Sequence, residues 1–256
     1  MCTAGIDIGS RSIELVVMEN GSRVHQVKTA TTFDPVGQCR KIMEGVRADQ
    51  IVATGYGRKL FAEAFSNLNI LTITEIQGYA LGATRLFPGV RTVLDIGGQD
   101  TKAIALDPHG KVSRFEMNDR CAAGTGKFLE FMATALQVPI ESFGVFALQA
   151  DRRIQISSMC TVFAESEATS LMARGERPEN IAMGLHMAIV QRTLSMLRRV
   201  GVEQPVLFAG GVAHNACVKQ LLEEQLNTPV LVPQEPDMLG ALGAAVYGSR
   251  TATGTD

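Results

Sequence analysis

Two stretches of this chain echo each other: GIDIGSRSIELVVMENG, beginning at Gly5, and VLDIGGQDTKAIALDPHG, beginning at Val93. Superposing Asp7 on Asp95 also matches Ile8 with Ile96 and Gly9 with Gly97. Each stretch predicts a hairpin: an apolar strand with an acidic residue at its end, a glycine turn, a second apolar strand, then a polar turn containing Gly. A supersecondary unit that recurs in one chain implies a duplicated domain with a cleft between its halves. At 256 residues the chain is long enough for each half to bury a core. The halves are expected at 1–88 with 240–256, and at 89–239.

The segments between and after the hairpins predict an α/β protein. A strand at QIVATG (50–55) is followed by a helix over about 74–86 that stops before Pro88. Beyond the second hairpin three helices are expected. One covers about 125–137, with Phe128, Met132 and Leu136 at helical spacing; a second covers about 162–174. The third follows Pro178, with Ile181, Leu185, Ile189 and Met196 on one face. PVLFAGGVAHN (205–215) predicts a buried strand ending in Gly-Gly and a helix to about 226. PVLVP is a short strand, GALGAAVYG a small-residue helix able to pack closely, and TATGTD a loose tail.

Asp7 and Asp95 each end an apolar strand and precede a glycine turn, which lets backbone N–H groups approach phosphate. A Mg²⁺ ion carrying phosphates prefers carboxylate and water ligands, so the two aspartates are suited to face one ion. Gly210 and Gly211 leave room for a flat ring against the backbone at a helix start. A single Asp-x-Gly is equally well plain turn chemistry, but three glycine-rich strand ends in this order resemble the actin, Hsp70 and sugar kinase ATPase superfamily. That resemblance implies a ribonuclease H-like duplicated fold that binds ATP. Gly9, Ser10, Arg11, Gly97, Gly98 and Gln99 would line the phosphates, with Gly210 and Gly211 at the adenosine; Asp7, Asp95 and Gln99 are the candidate catalytic residues. There is no P-loop lysine motif and no dinucleotide fingerprint, and GTGK (124–127) is too short to count as one.

Five cysteines are widely spaced: Cys2, Cys39, Cys121, Cys160 and Cys217. An odd number without secretory context argues for thiols or metal ligands over disulfides. Cys121, in NDRCAAGTGK, and Cys160, before TVFAESEATSL, each precede a helix start. Unpaired N–H groups and the macrodipole there favour an anion, whether phosphate, thiolate or a thiolate-held cluster. A lone cysteine is most often a small buried hydrophobe. Were both to bind iron, two per chain would be half of the four thiolates a cubane needs, and a twofold-related pair of chains would supply the rest.

NDRCAAGTGKFLE and SSMCTVFAESE, with ATGYGR and LDIGGQD, resemble the activators of 2-hydroxyacyl-CoA dehydratases (component A, or archerase), relatives of the ATPase subunits of benzoyl-CoA reductase. The resemblance runs from the first hairpin to GALGAA. It implies a homodimer with one 4Fe-4S cluster held by Cys121 and Cys160 of each protomer. It also implies ATP-driven, very low-potential electron transfer to a two-subunit dehydratase or a related iron–sulfur reductase, with ferredoxin or flavodoxin as donor. Cys2, Cys39 and Cys217 fall outside the motifs and are expected to be structural.

Other features narrow the alternatives. A net charge of −2 gives no general nucleic-acid surface. No apolar run is long enough to span a bilayer and the first ten residues do not form a secretory signal, so a cytoplasmic protein is expected. A sugar-type kinase of the same superfamily would need a catalytic base, for which only Asp100 and Asp119 are near; a non-catalytic, actin-like scaffold is the third alternative. Glu165 and Glu167 do not share a helix face and suit a polar surface or a dimer contact. His214 could lie near adenosine or cap a helix in solvent, and Arg58 sits in a tight turn.

Overall fold

The structure is a computed structural model and describes residues 1–157 and 160–253. Ser158 and Met159 of the second cysteine motif, and the end of the TATGTD tail, lie outside the described residues. In chain order the elements are β1 (Cys2–Ile8), β2 (Ser12–Glu19), β3 (Ser22–Ala30), α1 (Pro35–Ile42), β4 (Gln50–Thr54), α2 (Arg58–Ala64), β5 (Ile70–Thr72) and α3 (Glu75–Leu86). Then follow β6 (Thr92–Ile96), β7 (Thr101–Leu106), β8 (Val112–Asn118), α4 (Gly126–Ala135), α5 (Ile140–Ala147), α6 (Thr161–Ala173) and α7 (Pro178–Val200). The chain continues through β9 (Val206–Ala209), α8 (Ala216–Leu226), β10 (Val230–Leu231) and α9 (Leu239–Thr253).

The chain divides into two units. Unit 1 comprises Met1–Val93, Leu106–Ser113 and Asp237–Asp256; unit 2 comprises Leu94–Ala105 and Arg114–Pro236. Two five-stranded sheets have the same plan, β3-β2-β1-β4-β5 and β8-β7-β6-β9-β10. In the first, β1 runs antiparallel to β2 and parallel to β4, which in turn pairs parallel with β5. The central strands β1, β2, β6 and β7 are buried on both faces, which is why their sequences read as apolar runs without clean alternation.

Both hairpins form, and each gains a third strand that the apolar pattern did not announce. β3 and β8 lie at the outer edge of their sheets and face solvent over much of their length, so they carry Arg23, His25 and Lys28, or Arg114 and Glu116, in place of an apolar run. Three short helices also escape the periodicity: α1, α2 and α5, each only seven or eight residues long. After the second hairpin there are thus more helices before β9 than the three expected.

Where local signals were strong, the boundaries agree. Thr74 and Gln77 form a reciprocal capping box at the start of α3. Pro178 opens α7, and Gly201, at φ 87, ends it. Phe128, Met132 and Leu136 are buried, as are Ile181, Leu185, Ile189 and Met196. α9 packs closely on β1 and α3, since a Cβ at Gly243 would overlap the carbonyl of Gly78 and one at Gly5 that of Ala241. This helix continues through Thr253 into the stretch expected to be loose.

Candidate functional site

In unit 1, Asp7 is the penultimate residue of β1 and is 5% exposed. The turn that follows is closed by the Gly9 N–H donating to the Ser12 carbonyl at 3.0 Å. Thr31, a residue the sequence did not single out, clamps this turn twice. Its N–H donates to the Arg11 carbonyl at 2.9 Å and its hydroxyl to the Gly9 carbonyl at 2.8 Å. Ser10 and Arg11 are exposed on the turn.

Unit 2 repeats the device. Asp95 is the penultimate residue of β6 and fully buried, and the Gly97 N–H donates to the Asp100 carbonyl at 2.9 Å. Gly98 is half-buried and Gln99 exposed. The likeness extends to a glycine after the strand on the other side of the aspartate strand. Gly55 follows β4 at φ 87 and Gly210 follows β9 at φ 81. In both the bare α-carbon lies against the aspartate: a Cβ at Gly55 would overlap Asp7 Oδ1, and one at Gly210 would overlap Asp95 Oδ1. Only glycine satisfies both the left-handed backbone and this contact. Gly211 is exposed and begins a short 3₁₀ turn, Gly211–His214, that leads to α8.

That 3₁₀ turn is held from below. Asn215 caps α8, its Oδ1 accepting from the Val218 N–H at 3.0 Å, while its amide nitrogen lies 3.0 Å from His186 Nε2. His186 Nδ1 is 2.7 Å from the Ala182 carbonyl. Complete burial pushes the imidazole down to about 4, so it is neutral: Nδ1–H donates to Ala182 and Nε2 accepts from Asn215. His214 itself is exposed.

The residue that sequence reasoning missed is Lys102. It lies on β7 with its side chain 3% exposed, and its ammonium is 3.0 Å from Asp95 Oδ2 and 2.7 Å from Asp100 Oδ2. Its signal was a cation inside TKAIAL, a strand otherwise made of small and apolar residues, where a buried charge demands a partner. This ion pairing also gives Asp100 a task other than that of a kinase base. Asp119, the other acid weighed for that role, is exposed beside Arg120.

Cys121 and Cys160 are both exposed, whereas Cys39 and Cys217 are buried and Cys2 is half-buried. Burial pushes the Cys39 thiol up to about 11 and that of Cys217 up to about 12, which keeps both protonated. Cys2 is raised too, first by burial and then by Glu19 and Asp49, and its thiol donates to the Arg47 carbonyl. Cys160 is the N-cap of α6, its carbonyl accepting from the Ala164 N–H at 2.8 Å.

The surroundings of Cys121 differ from expectation. The first N–H groups of α4 are not left over for an anion. Gly126 N–H donates to the Gly97 carbonyl at 2.9 Å and Lys127 N–H to the Gly98 carbonyl at 2.8 Å. GTGK therefore binds the glycine turn of the Asp95 hairpin through its backbone. The Thr101 hydroxyl donates to the Gly124 carbonyl at 2.7 Å, and the Asn118 amide donates to the Cys121 carbonyl at 2.9 Å. The Cys121 loop is thus tied to the turn at 97–100 through backbone and buried side-chain bonds alike.

Among the described residues no three His, Cys, Asp or Glu side chains converge as ligands of one metal ion. Cys121 and Cys160 are exposed, as are Val162 and Phe163 at the start of the helix that Cys160 caps; two such thiols per chain are the donors that a cluster shared between chains would use. Donor type and exposure fit such a group. No described helix is long and apolar enough to cross a membrane.

Residues 4–248 match the model of the BadF/BadG/BcrA/BcrD ATPase family. The chain belongs to that family. It is 42% identical to the activator of lactoyl-CoA dehydratase from Anaerotignum propionicum, over 98% of this chain and 99% of the relative. The structure superposes on the activator of the 2-hydroxyisocaproyl-CoA dehydratase from Clostridium difficile with bound ADPNP at a TM-score of 0.89, with 36% identity, covering 100% of this chain and 97% of that one. It also superposes on a ROK family glucokinase from Streptomyces griseus at a TM-score of 0.64 over 98% of this chain and all of that one. At 15% identity that likeness is one of fold, and it places this family ATPase in the sugar kinase-like α/β architecture.

Proposed function

We propose that this protein is the ATP-hydrolysing activator of a two-subunit 2-hydroxyacyl-CoA dehydratase or a related iron–sulfur reductase. It works as a homodimer in which Cys121 and Cys160 of each protomer hold one 4Fe-4S cluster. When bound, the cluster supplies a one-electron carrier of low potential. A ferredoxin or flavodoxin is the donor. The glycine turns at Gly9–Arg11 and Gly97–Gln99 are assigned to ATP phosphates, Asp7 and Asp95 to its Mg²⁺, Gln99 to the attacking water, and Gly210–Gly211 to adenosine. In hydrolysis a water oxygen bonds to the γ-phosphorus as the bond to the bridging oxygen breaks, giving ADP and phosphate and releasing the water's proton.

The observation that carries this reading is the hydrogen-bonded bridge from the turn at 97–100 to the Cys121 loop. Movement of Gly97 and Gly98 on phosphate binding or loss would pull on the Gly126 and Lys127 N–H groups, and through Gly124 on the segment that holds Cys121. An exposed cysteine on a loop so connected is suited to ligate a group whose potential follows the nucleotide. The identity with named dehydratase activators over nearly the whole chain supports the partner. The glucokinase likeness, confined to fold, does not favour a sugar kinase.

The test is iron and sulfide analysis of protein purified without oxygen, with electron paramagnetic resonance after reduction. About four irons per dimer are expected, with a cubane signal that Cys121→Ala and Cys160→Ala each abolish and Cys217→Ala retains. A Cys121→Ala protein that keeps its iron, or keeps full activation of a dehydratase, overturns the assignment.

A further inference from the structure

We propose that Lys102 is a positioning residue of ATP hydrolysis, a single ammonium that holds the Asp95 carboxylate and the turn at 97–100 in one arrangement. The proposal rests on the reading above that this turn receives phosphate. It adds a residue that neither the sequence motifs nor the family match assigns.

The geometry leaves Lys102 little else to do. Its side chain is 3% exposed and its ammonium bridges Asp95 at 3.0 Å and Asp100 at 2.7 Å, so two of its three donors are committed to carboxylates. At that depth it acts through its partners and not by touching nucleotide. A buried ion set is a poor device for stability, because well-packed apolar replacements are often as stable or more so. What it does well is hold several groups in one geometry, and the groups held here are specific. Asp95 ends the strand before the turn. Asp100 closes the turn with its carbonyl, and its carboxylate lies so close over Gly97 that a Cβ there would overlap Oδ1.

Lys102 thus pins the turn from the side-chain direction while Gly126 and Lys127 pin the Gly97 and Gly98 carbonyls from the other. Preorganised dipoles around a developing phosphate charge lower the barrier chiefly by not having to reorganise. The loss of Lys102 should therefore appear in kcat more than in ATP affinity. The matching position of the first hairpin is Glu14, so this lock belongs to unit 2.

Steady-state ATP hydrolysis and, separately, equilibrium ATP binding are to be measured on the full-length wild type, Lys102→Arg, Lys102→Met and Asp100→Asn. Lys102→Arg keeps the charge, but a planar fork cannot replace one ammonium between two carboxylates. Its kcat is expected to fall at least about tenfold, with ATP affinity within about threefold. Asp100→Asn keeps the lysine and the turn carbonyl but removes one of the two charges the ammonium holds, and is expected to show the same split in smaller measure. Lys102→Met is expected to lose more; should it not fold, Lys102→Arg and Asp100→Asn decide. A Lys102→Arg enzyme with kcat within about twofold of wild type, or with weakened ATP binding at full kcat, overturns the proposal. A wild type that neither binds nor hydrolyses ATP refutes the reading of the turn itself, a different result from wild-type hydrolysis that survives all three changes.

Discussion

In unit 1 the aspartate at the end of the first strand, Asp7, stands across the ladder from Glu14; in unit 2 its counterpart Asp95 is bridged to Lys102. The backbones around them are alike down to the Gly9–Ser12 and Gly97–Asp100 turn bonds and the left-handed Gly55 and Gly210. The charges are opposite. Unit 2 neutralises its buried aspartate with a sealed cation. Unit 1 brings two buried carboxylates into register, and its nearest strand cation by register, Lys28 opposite Glu14, is 43% exposed and paired with Asp237. A duplicated fold therefore preserves a backbone device for approaching phosphate, while side chains at one matched position make the two copies electrostatically unequal. Like charges facing each other on a sheet are unfavourable and opposite charges favourable, so the two hairpins differ electrostatically at the same backbone device.

The largest effect expected from breaking this difference comes from Lys102→Glu, which gives unit 2 the charge pattern of unit 1. Removing one partner of a buried ion pair costs about 3–5 kcal/mol, and adding a further carboxylate costs more. Urea unfolding should show unit 2 lost at neutral pH. A Lys102→Glu protein as stable as wild type would mean that the two hairpins are interchangeable.

Next in size are Gly55→Ala and Gly210→Ala, which test the likeness itself. Each forces an alanine to positive φ, worth about 1–3 kcal/mol, and adds an overlap with the aspartate of a similar size. Matched losses are expected in denaturant unfolding. A loss in one and not the other would break the equivalence of the strand ends.

The smallest effect concerns acid. His186 is buried in unit 2, whereas His25, His109 and His214 are exposed. Its value is lowered from 6.5 to about 4 by burial. Unfolded chain therefore binds a proton that folded chain refuses, and the stabilisation present above pH 6.5 declines as pH falls toward 4. Between pH 7 and pH 5 unit 2 should lose about 2 kcal/mol by this route, and His186→Gln should remove that slope. Hydrogen exchange resolved by segment at both pH values is the measurement. Acid opening that starts in unit 1 would show that His186 does not set the order.

Much of this was legible in the chain alone. The repeat of Asp-Ile-Gly located both hairpins because glycine turns after apolar strands are local chemistry. Capped helices such as α3 and α7 were readable for the same reason. β3, β8, α1, α2 and α5 were not, since edge strands and helices of two turns derive their stability from the sheet they pack on and carry little periodicity of their own. At the site, Cys121 and Cys160 stood out by their helix-start context, yet only the fold revealed that the first N–H groups of α4 are taken by the carbonyls of Gly97 and Gly98.

The amino-acid sequence by itself determined the duplicated α/β plan, the two aspartate–glycine turns and the pair of cysteines set before helices, because each is written in neighbouring residues whose backbone preferences are local. Tertiary structure alone decided which charges meet and which backbone groups are already bonded: Lys102 between Asp95 and Asp100, Thr31 on the first turn, GTGK on the second, His186 beneath Asn215. Those contacts join residues distant in the chain or on different strands, where burial removes water as the alternative partner and leaves geometry to choose.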